Sequence, residues 1–256
     1  MAEYRIRLLA CNTAAVIAIG IVASVVTSTI VASNAYRAKF AEAQKAQQSI
    51  VVKGKATKRV RSDRGQWWIT VNGTGESIQQ AHAVLADGIS KVNGYLDGRQ
   101  FSEEEISRGS ISTKVHYDRD SKGKSTRKIV EYELSQHIRV STVDVDKISS
   151  AAGEVTDLLK EGIFVIGGIP QYTFSGVSDV KIQILADAAS NARERADELS
   201  VKAGGSVKDI RAIKQGVIQI TTPDSTRVSS YGVNDTSTIM KDVSVVVTVE
   251  FGIEGA

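Results

Sequence analysis

Two hydrophobic patterns divide the chain. From Leu8 to Tyr36 there are 29 consecutive residues without Asp, Glu, Lys, Arg or His, bracketed by Arg5 and Arg7 before and Arg37 and Lys39 after. As a helix this stretch would reach roughly 43 Å, more than the ~30 Å hydrocarbon core of a bilayer. It predicts a transmembrane helix over residues 8–36, with Leu8, Ile17, Ile21, Val25 and Ile30 in the membrane and a short tail, residues 1–7, before it. Residues 37–49 turn to Ala, Gln, Glu and Lys without Gly or Pro, which suits a helical stalk. Residues 50–256 carry the shorter periods of a folded domain.

Ile50 to Val60 alternates, with Lys53, Lys55, Thr57 and Arg59 on one face and Val52, Gly54, Ala56, Lys58 and Val60 on the other. Gln66 to Asn72 is rich in aromatic and β-branched residues, and the two runs predict a hairpin turning at Ser62 to Gly65. A helix from about Glu76 to Leu96 follows, striped by Ile78, Ala81, Leu85, Ile89, Val92 and Leu96. A strand from about Ile106 to Tyr117 and a second with Val130, Tyr132, Leu134, Ile138 and Val140 on one face flank a charged loop, Asp118 to Thr126. Next come a helix from Asp144 to Glu161 (Ile148, Ala152, Val155, Leu159), a Gly-rich connection from Gly162 to Pro170, and a short strand around Tyr172 and Phe174. In the longest helix, Ser178 to Ala203, Ile182, Leu185, Ala189, Ala192, Ala196, Leu199 and Ala203 step by three and four, and Gly204-Gly205 stops it. Two strands, about Val207 to Thr221 and Met240 to Gly252, flank a polar loop, and the last points Val243, Val245, Val247, Val249 and Phe251 one way. Helices and strands interleave while many neighbouring strands are hairpin-linked. The fold class is therefore α+β with mainly antiparallel sheets packed with helices, not a doubly wound Rossmann layout.

The apolar segment admits three fates. A secretory signal has an apolar core of only ~7 to 15 residues before a small-x-small site, and Ser33-Asn34-Ala35 offers such a site after a core that is too long. Leu8-Leu9-Ala10-Cys11 resembles a lipobox, yet nearly the whole core lies after Cys11. An uncleaved signal-anchor is the preferred reading, with cleavage after Ala35 as its alternative. Basic residues are nearly balanced across the segment and do not orient it. A single N-terminal span usually leaves its short tail inside, which would export the domain, and the absence of Cys beyond Cys11 agrees with that.

Residues 1–49 hold a net +3, equal to that of the whole chain, so the domain is formally neutral. Nucleic acid is not an expected partner. Catalytic signatures are scarce. His82, His116 and His137 have no ligand partner at i+4 and no Cys pair, so neither a metal nor a cofactor is expected. There is no Gly-x-Ser-x-Gly elbow. Gly73-Thr74-Gly75 lies between a strand and a helix, but Ile78 holds the third glycine position of the dinucleotide fingerprint, and a tight turn with Thr74 or Ser77 near the helix start explains it. Lys53, Lys55, Lys58, Arg59, Arg61 and Arg64 form one basic run, read as a solvated strand face rather than a headgroup site. Arg193 and Asp197 stand at i,i+4 as a surface ion pair.

Three pieces together resemble the SIMPL-domain family over about Ser49 to Phe251. They are Val52-x-Gly54-x-Ala56 before a Trp-containing strand, Phe174-Ser175-Gly176-Val177-Ser178-Asp179 leading into Asn191-Ala192-Arg193-Glu194-Arg195-Ala196, and a closing Val243-x-Val245-x-Val247-x-Val249. The resemblance implies a bacterial envelope protein, periplasmic or held in the cytoplasmic membrane. Some members are linked to oxidative stress tolerance, and one, an immunodominant Brucella antigen, forms a large channel-like homo-oligomer. It transfers no catalytic residues. Phe174, Ser175, Asp179, Asn191, Arg193 and Arg195 are the candidate assembly or family-motif residues. The expected function is that of a membrane-anchored extracytoplasmic structural protein, not an enzyme, that self-assembles into a ring-, cage- or channel-like homo-oligomer. Its partners would be itself and the lipid bilayer. The competing class is a binding module in which Thr222 to Thr238 or Gly162 to Pro170 grips a small ligand or envelope polymer.

Overall fold

The computed structural model describes residues 28–40 and 48–255. Residues 28–40 form a helix, α1, that exposes Ile30. Among the described residues no helix is long and apolar enough to cross a membrane. Leu8, Ile17, Ile21, Val25, most of the expected span and much of the expected stalk lie outside them. The chain divides into two units, Lys55–Ser190 with Gln215–Val247, and Met1–Gly54 with Asn191–Lys214 and Thr248–Ala256.

A capping box opens α2 (Ile78–Gly98): the Ser77 hydroxyl accepts from the Gln80 backbone N–H at 3.2 Å, and the Gln80 side chain accepts from the Ser77 N–H at 3.3 Å. The helix lies on a sheet ordered β3-β4-β2-β5, with β6 also on β2, built from β2 (Arg64–Gly75), β3 (Ile106–Arg119), β4 (Ser125–Thr142), β5 (Phe164–Gly167) and β6 (Gln171–Thr173). Trp67, Ile69, Val71, Leu134, Ile138 and Val140 form one core with Ala81, Leu85, Val92 and Leu96 of α2. Ile148 and Ala151 of α3 (Val145–Glu154) and Val155 and Leu158 of the following 3-10 helix (Val155–Glu161) complete it. The Trp67 indole donates to the Gly168 carbonyl at 2.8 Å, so its N–H is not buried unpaired.

A second sheet is ordered β1-β9-β7 with β8 on β9, from β1 (Ser49–Arg61), β7 (Gly205–Gln215), β8 (Gln219–Thr221) and β9 (Met240–Gly255). Val243, Val245, Val247, Val249 and Phe251 are all buried, as their alternation predicts. The α+β class with antiparallel sheets holds.

Several element boundaries depart from the sequence pattern. β1 and β2 are not a hairpin. The Ser62 N–H donates to Ile239 and the Asp63 N–H to Thr173, and the edges of β2 are taken by β4 on one side and β5 and β6 on the other, so the chain turns a corner between sheets. The helix expected through Glu161 gives way to a 3-10 helix at Val155, which buries Val155 and Leu158 one three-residue turn apart. The connection from Gly162 to Pro170 contains β5, and the strand expected from Val207 to Thr221 breaks into β7 and β8 at Gly216, whose N–H donates to Val246 at 2.8 Å. In α4 (Val177–Lys202) the buried row is Val180, Ile184, Ala188, Ala192, Ala196 and Ser200, at steps of four. Ile182 and Leu199 of the expected stripe are 71% and 56% exposed.

Gly73 and Gly75 are neither a turn nor a phosphate loop but the place where strand and helix backbones touch. A Cβ on Gly73 would stand 2.4 Å from the Leu85 nitrogen and 2.5 Å from the Ala81 carbonyl oxygen, and one on Gly75 2.6 Å from the Ala81 nitrogen. The polar loop before β9 is pinned at both ends. Asp242 accepts from the Arg59 side chain at 2.8 and 3.0 Å and from the Asp224 N–H at 2.9 Å. Asp235 gathers the hydroxyls of Ser237 and Thr238 at 2.7 and 2.8 Å and the ammonium of Lys241 at 3.2 Å. The Lys241 side chain is 1% exposed, and its ammonium also donates to the carbonyls of Asp235 and Thr238. Burial alone would raise the Asp235 carboxyl, but the bonds from Ser237, Thr238 and Lys241 outweigh it and hold the group well below the ordinary range. Burial pulls the Lys241 ammonium down, against the opposing pull of Asp235.

Gly73→Ala is expected to destabilise the fold by about 3 kcal/mol, since backbone rather than a side-chain tip must yield; a urea transition measures it. Asp235→Ala should remove about 3 kcal/mol at neutral pH by stranding a buried ammonium. Because the folded Asp235 titrates below its unfolded value, that contribution is complete above about pH 4 and fades as pH falls further. The wild-type advantage over Asp235→Ala in urea midpoint should therefore shrink between pH 7 and pH 3.

Candidate functional site

The family-like motif begins where the chain leaves β6. The Ser175 hydroxyl donates to Asp63, and the Ser175 N–H donates to the other Asp63 oxygen at 2.9 Å, tying the start of α4 to the corner between β1 and β2. Burial would raise Asp63, yet the two bonds from Ser175 hold it below the ordinary carboxylate range. Gly176 follows because a Cβ there would meet the Phe174 ring at 2.7 Å. Phe174 is thereby free to fold back and wall a cavity. Asp179 stands exposed in the first turn of α4.

That cavity measures about 390 Å³. Phe174 and Val177 form one wall, Ile218, Ile220 and Val243 another, and residues 231–234 of the polar loop a third. The Ile220 N–H donates to Val233 at 2.7 Å and the Asp235 N–H to Ile220 at 2.8 Å, holding the loop against β8. Gly232 takes a φ of 90° there, with the Ile218 carbonyl oxygen 3.1 Å from where its Cβ would be, so a side chain is excluded on both counts. The buried Gln219 side chain bridges the Val217 and Ser229 carbonyls at 3.2 and 2.8 Å. Thus the loop singled out from sequence is an ordered wall rather than a free tether.

The arginine half of the motif lies in the other unit and is spent on the chain's own backbone. Arg193 pairs with Asp197 at 3.1 Å, as its spacing predicts. It also donates to the Lys208 carbonyl at 3.1 Å and lies 5.4 Å from the centre of the Phe251 ring. Arg195 donates to the Lys53 carbonyl at 3.0 Å. Asn191 is half-buried in the same turn. These side chains fasten the C-terminal part of α4 to β7, β9 and β1.

The basic run is partly neutralised: Arg59 meets Asp224 and Asp242, and Arg61 meets Asp146. His116 donates to Glu133 at 2.6 Å and His137 bonds Thr70 at 2.8 Å. Among the described residues no group of His, Cys, Asp or Glu is placed to hold a metal. Sequence reasoning missed the cavity walls Ile218 and Ile220 and the buried Lys241. The only signal for the first two was an apolar pair beside a polar loop, and for Lys241 there was none.

Comparison with known proteins yields little beyond the domain itself. No curated protein matches the chain. A hydantoinase/carbamoylase family amidase from Burkholderia vietnamiensis is similar at 12% identity and a TM-score of 0.27, over 52% of this chain and 34% of that one. The regulatory subunit of aspartate kinase from Thermus thermophilus, ligand free form, is similar at 14% identity and a TM-score of 0.20, over 77% and 88%. The de novo designed protein Foldit4 scores 0.21 at 10% identity over 41% and 93%. Against the amidase the chain spans about a third of the relative's length, and scores this low assign no fold. The family model of SIMPL, described as a protein of unknown function (DUF541), matches residues 50–251, and the chain belongs to that family.

Proposed function

We propose that this chain is a membrane-tethered, extracytoplasmic structural protein of the bacterial envelope that assembles into a large closed homo-oligomer, ring-, cage- or channel-like, with a role in envelope or oxidative stress. One observation supports this reading above the rest. β3 and β4 run on as a two-stranded arm beyond Tyr132, where the pairing with β2 ends at Gly75. Val115 opposes Tyr132 at its base, and Tyr117 opposes Ile129 along it. Tyr117, Ile129 and Val130 are 47%, 41% and 50% exposed.

A lone two-stranded hairpin is marginal in water, and an apolar ribbon on it invites a second surface. The ribbon's other face is polar, with Lys114 and His116 at 3.4 and 2.6 Å from Glu133. The His116 hydrogen bond is the main reason the Glu133 carboxyl sits below its ordinary range. Among the described residues β3 also leaves one edge unpaired, open to antiparallel addition by the same strand of another copy. Tethering each copy through residues 8–36 would raise the local concentration of arms.

Full-length protein extracted in mild detergent should behave as a large species at micromolar concentration in light scattering. Tyr117→Glu combined with Ile129→Glu should weaken assembly at least tenfold, because two apolar side chains on the arm lose their partner. The same variant should keep its melting transition, since neither residue belongs to the core. A stable wild-type monomer at that concentration would sink the proposal.

A further inference from the structure

The cavity walled by residues 231–234 combines a bare apolar lining with an uneven charge. Phe174, Val177, Ile218, Ile220 and Val233 supply the lining, while the ionisable groups on the wall are Lys181, Lys241 and the Tyr231 phenol, with no carboxylate among them. We propose that it binds a small amphipathic anion: a carboxylate carrying an aryl or short acyl group. At 390 Å³ the cavity lies at the small end of the roughly 300–1,000 Å³ range of small-molecule sites.

The walls are built before any ligand arrives. Backbone bonds from Ile220 to Val233 at 2.7 Å, from Asp235 to Ile220 at 2.8 Å and from Tyr172 to Thr236 at 2.7 Å keep the loop from collapsing inward. Phe174 is held by the missing Cβ of Gly176. Ile218, Ile220 and Val233 are only half-buried, so an apolar body seated among them would remove their remaining surface from water.

The two lysines play different parts. An ammonium has three protons to donate, and Lys241 spends all three on the Asp235 carbonyl, the Asp235 carboxylate and the Thr238 carbonyl. It shapes the wall and has nothing left for a ligand. Lys181 is exposed on the first turns of α4 and makes no ion pair among the described residues. The Asp235 carboxylate is turned away onto Lys241, Ser237 and Thr238. An anionic head therefore meets Lys181 without a competing acid, with the Asn234 amide also on the wall, while the apolar body points toward Ile220. A cationic head of the same size would face Lys181 instead.

The probe is 4-phenylbutyrate, with 4-phenylbutan-1-ol and 4-phenylbutylamine as neutral and cationic counterparts. Each is titrated against the full-length protein in lipid nanodiscs by saturation-transfer difference NMR, with empty discs subtracted. The acid should bind saturably, with a Kd on the order of 1 mM or tighter for a ligand of this size. The amine should give no saturable signal. Lys181→Glu, a change at an exposed position, should weaken the acid at least fivefold and leave the alcohol unchanged. Ile220→Trp, which fills the cavity, should abolish both. The inference is overturned if the amine binds as well as the acid, if the acid binds Lys181→Glu as it binds wild type, or if no probe binds wild type. It stands apart from assembly: a monomer that binds the acid supports it, and an oligomer that does not refutes it.

Discussion

The contact between α2 and β2 at Gly73 sets how much of the sheet is buried. With no side chain at Gly73 or Gly75, the helix backbone comes down onto the strand, and Ala81, Leu85, Val92 and Leu96 can reach Trp67, Ile69 and Val71. A helix seated that closely covers a fixed stretch of sheet and no more. β4 has 18 residues, and its packing against the core ends at Tyr132. Beyond it, Tyr117, Ile129 and Val130 of β3 and β4 stand exposed. A bare apolar ribbon is thus the direct consequence of where two glycines stand, and the proposed assembly is one way to cover it.

A second constraint operates on the loop before β9. A lysine that is 1% exposed demands acceptors, and the loop supplies three of them by wrapping Asp235 and Thr238 around it. That fold of the loop also places residues 231–234 over Ile218 and Ile220. The buried charge therefore helps turn a polar segment into the wall of a cavity. The backbone bonds of Ile220 to Val233 and Asp235 hold the same segment against β8. Structural scaffolding and ligand capture need not compete in this domain, because the arm and the cavity draw on different residues.

The sequence spoke most clearly where period and bulk agreed. The valines of β9 and Ala81, Leu85, Val92 and Leu96 of the α2 stripe buried as their spacing implied, while Ile78 at the start of that stripe is 44% exposed. α4 misled, since its buried row is made largely of Ala188, Ala192 and Ala196, which are too small to stand out against Ile182 and Leu199. Pairing was less legible than strand existence. Ser62 and Asp63 look like a hairpin turn, and only the distant acceptors Ile239 and Thr173 reveal a corner between two sheets. Of the motif residues, the roles of Ser175 and Arg195 depend on Asp63 and Lys53, more than a hundred positions away, so no local pattern could have shown them. The cavity was legible only as a polar loop beside two isoleucines.

Whether the arm meets another copy decides between a scaffold and a free-standing domain. Negative-stain imaging of the full-length protein, purified in mild detergent, tests this most directly. The account predicts closed, symmetric particles of many copies, in which the region around Tyr117 and Ile129 lies at contacts between subunits. Uniform single-copy particles, each with its arm free, would contradict it.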